Sequence, residues 1–304
     1  VCKTVFRDGD SVTKERDLSE LRVATWNVNA FNPARAADKA KLLRLVEWDV
    51  ALLQEVGVET FRVLREAGFT GVHALDFLEG PHGPRAHGVA ILVRGDGVLH
   101  DPALIPLGVP ADAPGPLRHA SRALAARLEF GDQSLSIASF HAPHAAHREP
   151  ERARQLRVEK NAAYAELEAW IAAAPRPLLL GMDGNVWTEP APTASLPPDA
   201  AACAENRFHA SDAGHGLRDA LVEHLTRNRP ELRARRQALG LNLLDGALSV
   251  TYQRSTNNHP KVNRMDRIHV SDEFTVHDVE TFYDDALTVG SDHAMVVARL
   301  GIPG

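Results

Sequence analysis

Cysteine is almost absent from this chain. Only Cys2 and Cys203 occur among 304 residues, so neither a disulfide framework nor a thiolate metal cluster is available. Long apolar runs are missing too: the longest candidates, such as Val50–Leu53 and Leu178–Leu180, are strand-sized and far short of the roughly 18 residues a bilayer span needs. No membrane span is expected. Positive charge is not in excess, with 34 Lys and Arg against 40 Asp and Glu and a net charge of −6. A polyanionic partner would therefore have to be met by a local basic patch or by a metal ion.

What is present describes a globular enzyme-sized chain. Hydrophobic residues make up 44% and charged residues 24%, values close to those of ordinary folded domains. Apolar, strand-like runs alternate with helix-period segments. Leu21–Val28 reads as a strand, Ala36–Trp48 as an amphipathic helix, Val50–Val56 as a buried strand and Val58–Glu66 as a helix. Strands are expected at Gly71–Phe77 and Val89–Val93, and Arg122–Phe130 and Leu135–Phe140 form a hairpin across Gly131-Asp132. Five prolines in residues 100–116 suggest a long surface connection. Glu149–Ala173 is the clearest helix, stopped by Pro175 and Pro177 before the strand Leu178–Met182. Thr188–Ala202 reads as a loop, Leu217–Arg227 and Glu231–Leu239 as helices, and Ser249–Gln253, Met265–Val270 and Ala294–Leu300 as closing strands. Residues 1–20 are expected to form an N-terminal extension to a single domain spanning 21–304. The polar start at Val1 leaves the compartment open: a cytoplasmic setting is slightly preferred, and export applies if a leader preceded Val1.

The ends of the apolar strands share a chemistry. They carry Asn27, Glu55, His141, Asp183 with Asn185, Asp266, and Asp292 with His293, all hard-ligand or acid/base residues. In layered α/β folds ligands sit beyond strand ends, where side chains distant in sequence converge. Asp183 and Asn185 are two apart and point to one face of an extended segment. Carboxylates and amide oxygens without thiolates suit a hard divalent cation such as Mg2+ or Mn2+, which a phosphoester substrate would complete.

Six segments occur in an order that resembles the endonuclease/exonuclease/phosphatase superfamily, which includes DNase I-like nucleases, abasic-site endonucleases, inositol-polyphosphate phosphatases and neutral sphingomyelinases. They are Ala24-Thr25-Trp26-Asn27-Val28-Asn29, Leu53-Gln54-Glu55-Val56, Ser139-Phe140-His141-Ala142-Pro143, Gly181-Met182-Asp183-Gly184-Asn185, Arg264-Met265-Asp266-Arg267-Ile268 and Gly290-Ser291-Asp292-His293. The resemblance implies a four-layer α/β sandwich, two packed mixed β-sheets flanked by helices, with the site at one end. It implies that Glu55 is the principal metal ligand, with Asn27 and Asp292 at the metal. It also implies that His293 and Asp266 form a histidine–carboxylate dyad, that Asp183 orients or deprotonates the attacking water, and that Asn185 and His141 contact phosphate oxygens. Either Asp183 or His293 would serve as the base.

Departures from the family patterns narrow the substrate. The histidine in Ser139-Phe140-His141-Ala142-Pro143-His144 stands where abasic-site endonucleases carry tyrosine, and Asn263-Arg264-Met265 stands where inositol phosphatases usually show Trp-Cys before Asp-Arg-Ile. Between His215 and Arg267 there are ten Lys or Arg and five Asp or Glu, a local basic excess suited to a phosphate backbone. Aromatic residues are only 6%, whereas a sphingomyelinase would be expected to expose apolar hairpin loops. The expected activity is therefore hydrolysis of phosphodiesters, DNA foremost, by a monomeric enzyme; a phosphomonoesterase or sphingomyelinase is the alternative, and a binding module without turnover a third. Arg122, Trp187, Arg254 and Arg264 are weaker candidates for contact with the phosphate or nucleic acid.

Overall fold

The computed structural model describes residues 19–80, 82–83, 86–107, 120–186, 193–195, 198, 202–210, 212–228, 230, 251–256 and 259–302. Two six-stranded mixed sheets pack face to face. The first has the order β13-β14-β1-β2-β4-β3 and the second β5-β6-β7-β8-β12-β9, with β10-β11 as a separate ribbon. Their strands are β1 Glu20–Asn27, β2 Val50–Gly57, β3 Thr70–His73, β4 His87–Val93, β5 Val98–Leu104, β6 Ala123–Phe130, β7 Gln133–His141, β8 Leu178–Asp183, β9 Arg218–Asp219, β10 Tyr252–Thr256, β11 His259–Asn263, β12 Asp266–Val270, β13 Thr275–Phe282 and β14 Met295–Gly301.

The layering follows from period-2 alternation within each strand. Leu21, Val23, Val50, Leu52, Ile137, Leu179 and Ile268 lie in the core between the sheets. Their neighbours Ala24, Trp26, Ala51 and Leu53 point outward into a second cluster with Leu43, Phe61 and Leu64, supplied by the helices Ala36–Leu45 and Val58–Glu66. On the far side Phe140, Leu178, Leu180 and Met182 pack against Tyr164, Leu167 and Ile171 of the long helix Pro150–Ala173. The result is the expected four-layer, DNase I-like sandwich.

Two inter-sheet features hold the sheets together. A carbon placed on Gly181 would lie 2.7 Å from Leu52 Cδ1 and 3.0 Å from Thr25 Oγ1, so the sheets close to a distance only glycine allows there. Alongside, Gln54 Nε2 donates to Thr25 Oγ1 and Ser139 Oγ at 3.1 Å, and Ser139 Oγ donates to Leu53 O at 3.0 Å.

Several elements differ from expectation for local physical reasons. The helix Ala36–Leu45 stops before Trp48 because Val46 turns extended. Gly71–Phe77 divides into the strand Thr70–His73 and a 3-10 turn, Ala74–Phe77, capped by His73. Part of the proline-rich connection is the edge strand β5, whose Pro102 falls in a register shift between His100 and Ala103, where a missing donor is tolerated. The helix expected from Leu217 begins at Ala220, since Arg218 and Asp219 pair with β12. Strand β13 and the helix Tyr283–Thr288 escape sequence reading: β13 is an edge strand whose shift between Val276 and Asp278 breaks its alternation. Strand β11 is a further addition. The expected helix Glu231–Leu239, most of the loop Thr188–Ala202, the start of Ser249–Gln253 and nearly all of the N-terminal extension lie outside the described residues. Among the described residues no helix is long and apolar enough to cross a membrane.

Candidate active site

Strand direction gathers the polar residues at one end of the inter-sheet core. β1 runs parallel to β2 and β7 parallel to β8, while β14 runs antiparallel to β1 and β12 antiparallel to β8. The C-terminal ends of the first four thus lie beside the starts of the last two. In the second sheet the placement is a matter of register: His141 is the lateral partner of Asp183, and Asp183 of Asp266. Each continues an inward-facing series, Ile137 to Ser139 to His141, Leu179 to Gly181 to Asp183, and Ile268 to Asp266. All three side chains are buried.

The first sheet delivers its residues less regularly. By alternation Glu55 would follow Ala51 and Leu53 to the outer face. A bulge between Leu53 and Val56 and a left-handed backbone at Glu55, with φ of 50°, reverse this. Val56 takes the outer position, and Glu55 Oε1 comes within 3.6 Å of His141 Nε2. Asn27 Nδ2 crosses between the sheets to donate to Asp183 Oδ2 at 2.9 Å. Asp292 Oδ1 accepts from Asn29 Nδ2 at 3.0 Å. His293, which precedes β14, also crosses: its Nδ1 lies 2.9 Å from Asp266 Oδ2.

Charge follows from these contacts. Burial would lower His293, but the carboxylates of Asp266, Asp183 and Asp292 outweigh it and push it up to about 10, so the imidazolium persists at neutral pH. Burial would likewise raise Asp183, yet the His293 imidazolium, with hydrogen bonds from Asn27 and the Asn185 backbone, outweighs it and holds Asp183 below the ordinary carboxylate range. Asp183 stays ionised.

His141 behaves oppositely. Burial, reinforced by the Arg122 guanidinium, drives it well below its ordinary value, leaving a neutral ring. Arg122 Nη1 stands 3.1 Å from His141 Nδ1. A guanidinium only donates, so Nδ1 is the acceptor and the ring proton sits on Nε2. That Nε2–H lies 3.2 Å from Asn185 Nδ2, another donor, which also bonds Ala142 O at 2.8 Å. The nearest carboxylate oxygens to Nε2, from Glu55 and Asp183, stand at 3.6 Å, beyond hydrogen-bond range. Two donors therefore stand side by side, and an anionic oxygen beside them would satisfy both.

Some contributors were not legible as site residues. Lys39 is buried and donates to the carbonyls of Asn29 and Asn32 at 2.8 and 3.2 Å. Burial pushes it down to about 8 against the pull of Glu55 and Asp292. Lys160, also buried, donates to Asn185 O at 2.8 Å and pairs with Glu205 at 2.6 Å. Tyr164 OH donates to Gly184 O at 2.8 Å and accepts from His209 Nε2 at 2.8 Å. These contacts clamp the Asp183-Gly184-Asn185 turn, in which Asn185 has a φ of 49°. The sequence signal was present: Lys39 shares a helical stripe with Ala36, Ala40 and Leu43, and Lys160 with Ala163, Tyr164 and Leu167.

The weaker candidates separate. Arg122 is part of the site. Arg264 is turned inward, its Nη1 2.8 Å from Asp219 Oδ2, so it meets a buried carboxylate rather than solvent. Trp187 and the side chain of Arg254 lie outside the described residues.

Among the described residues one group could hold a metal ion. Ligand atoms of Asp183, Asp266 and His293 all lie within 4.8 Å of one another, though His293 already shares a hydrogen bond with Asp266, and Asp183 accepts one from Asn27. Separately, the carboxylates of Glu55 and Asp292 both act on the ammonium of Lys39.

The model of the "Endonuclease/Exonuclease/phosphatase family" matches residues 24–293. No curated protein gives a significant match. Solved structures share the fold at low identity. D. rerio TDP2, complexed with single strand DNA product, is 17% identical with a TM-score of 0.59, covering 93% of this chain and 99% of that one. Truncated Caenorhabditis elegans TDP2 is 16% identical with a TM-score of 0.58, over 93% and 98% of the chains. An endonuclease/exonuclease/phosphatase from Bacteroides vulgatus is 18% identical with a TM-score of 0.58, over 93% and 99%.

Proposed function

The chain belongs to the endonuclease/exonuclease/phosphatase family, and from that premise we propose that it is a metal-dependent phosphodiesterase hydrolysing DNA by in-line attack of water. The observation that carries this reading is the pair of donors, His141 Nε2–H and Asn185 Nδ2–H, standing side by side with their nitrogens 3.2 Å apart. They would receive a non-bridging phosphate oxygen. Beside them Asp183 is an ionised carboxylate fixed by Asn27 and the Asn185 backbone, suited to orient a water and take its proton. His293 spends Nδ1 on Asp266, which leaves Nε2 to donate to the scissile phosphate or the leaving oxygen. Glu55, Asp292 and Asn27 would hold Mg2+ or Mn2+, whose charge would offset that of the phosphate. No covalent nucleophile is needed. DNA is favoured over a monoester or a lipid head group by the basic excess between His215 and Arg267 and by the DNA product bound to D. rerio TDP2.

The test is a time course on supercoiled plasmid with Mg2+ or Mn2+, an EDTA control and His293→Ala alongside. Metal-dependent nicking that the variant lacks is the expected result. Cleavage of monoesters or sphingomyelin with no action on plasmid or oligonucleotides would overturn the DNA reading.

A further inference from the structure

Phe31 is the most exposed large apolar side chain among the described residues, at 73%, yet its backbone is held firmly. Asn29 is left-handed, with φ of 56°, and its Oδ1 accepts from Phe31 N at 3.1 Å while its Nδ2 donates to Asp292. Lys39 ties the carbonyls on either side, those of Asn29 and Asn32. An isolated surface aromatic carries no message. This one is part of a pair at the rim of the site: the His87 ring lies 5.7 Å away at 63°. His87 in turn stands within electrostatic reach of His141. The two segments meet over the strand that carries Glu55, since a carbon on Gly57 would touch both Ala30 and Ala86 at 3.9 to 4.0 Å. An aromatic face is thus fixed between the Asp292 side of the site and the phosphate donor His141.

We propose that Phe31, backed by His87, is a stacking platform for a nucleobase next to the scissile phosphate, and that it directs the enzyme to unpaired nucleotides. This deepens the phosphodiesterase reading and rests on it for the position of the phosphate. A planar heteroaromatic ring is the ligand that a rigid, edge-supported phenyl face recognises. Within a duplex both faces of each base are already stacked, so Phe31 can be used only by a base that is single-stranded, frayed or turned out. Rigidity of the loop removes the ordering cost that a mobile aromatic would incur on binding.

Two readouts test this with the full chain. The first is kcat/KM on a single-stranded oligonucleotide relative to the same strand carrying base-free residues around the cleaved bond. In Phe31→Ala that ratio falls by roughly tenfold, the scale of losing one base–aromatic stack, and Phe31→Trp restores it. An equal loss on both strands, or no loss, overturns the proposal. The second readout needs no turnover: binding in EDTA of a single strand containing 2-aminopurine. The wild-type chain quenches the fluorophore and Phe31→Ala does not; quenching that survives the substitution overturns the stacking. If wild type cleaves no nucleic acid, the DNA reading fails while the quenching result still decides the platform.

Discussion

The two sheets supply opposite halves of the site by opposite means. The second sheet sets His141, Asp183 and Asp266 side by side on neighbouring strands in unbroken register, and strand spacing of roughly 4.8 Å does the positioning. The first sheet brings Glu55 in through a bulge and a left-handed residue, and Asp292 through a turn bonded to Asn29, itself left-handed. Left-handed conformations at non-glycine residues cost on the order of 1 kcal/mol or more each. Under the proposed function, acid/base chemistry would rest mainly on the regularly paired, buried residues, and cation binding on the irregular, less buried strand end that carries Glu55.

The largest effects should come from the proposed acid/base residues, Asp183 of the second sheet and His293, which the first sheet sends across to it. Asp183→Ala or His293→Ala is expected to lower turnover by on the order of 10²-fold or more while circular dichroism and Tm stay near wild type; full activity in either variant would dissolve the division. Among the proposed metal ligands, Glu55→Gln should raise the Mg2+ concentration for half-maximal rate by roughly 10-fold to 100-fold, with rate recovering at high metal. An equal rate loss at every metal concentration would place Glu55 in the chemistry instead.

Lys160→Met is expected to reduce kcat about tenfold by releasing the Asn185 turn, an effect the size of a misplaced catalytic group. In a double-mutant cycle it should add little to Asn185→Ala; full additivity would separate Lys160 from the site.

Stability against pH is a separate readout, and it too distinguishes the halves. Behind the second sheet, burial holds His209 well below its ordinary value and lowers His269 to about 3. Both His269 ring nitrogens are buried without a hydrogen-bond partner among the described residues. Unfolding lets both rings take up a proton at about 6.5. Stability from this source is therefore full above that pH and declines as pH falls toward about 3, by at most roughly 1.4 kcal/mol per pH unit for each histidine. Urea unfolding between pH 7 and pH 4 should show the decline, and His269→Leu should make it shallower.

How much could be read beforehand follows the same division. Asn27, His141, Asp183 and Asp266 stand where an apolar strand meets a polar residue at one of its ends, so alternation and chain order were enough to find them. Glu55 also stands at the end of an apolar run, but strict alternation assigns it to the wrong face, and its metal role comes from the family resemblance alone. Strands β5 and β13 were missed because edge strands with register shifts lose the period that reveals strands. Lys39 and Lys160 passed unremarked because a lysine on an apolar stripe reads as a solvated end of the helix until its buried carbonyl partners are known. Arg264 looked like a surface charge in a basic run, and only the fold shows Asp219 beside it.

The contact at Gly181, where one sheet's backbone rests on Leu52 and Thr25 of the other, has a consequence for how this enzyme could be retuned. Asn27 reaching Asp183 and His293 reaching Asp266 are both spans across the gap that this contact sets. A single methyl group at position 181 would act as a shim, lengthening both spans at once without touching any reacting atom. The thickness of the core is in that sense a calibration of the active site, and selection on turnover would restrain the volume of side chains that no substrate ever meets.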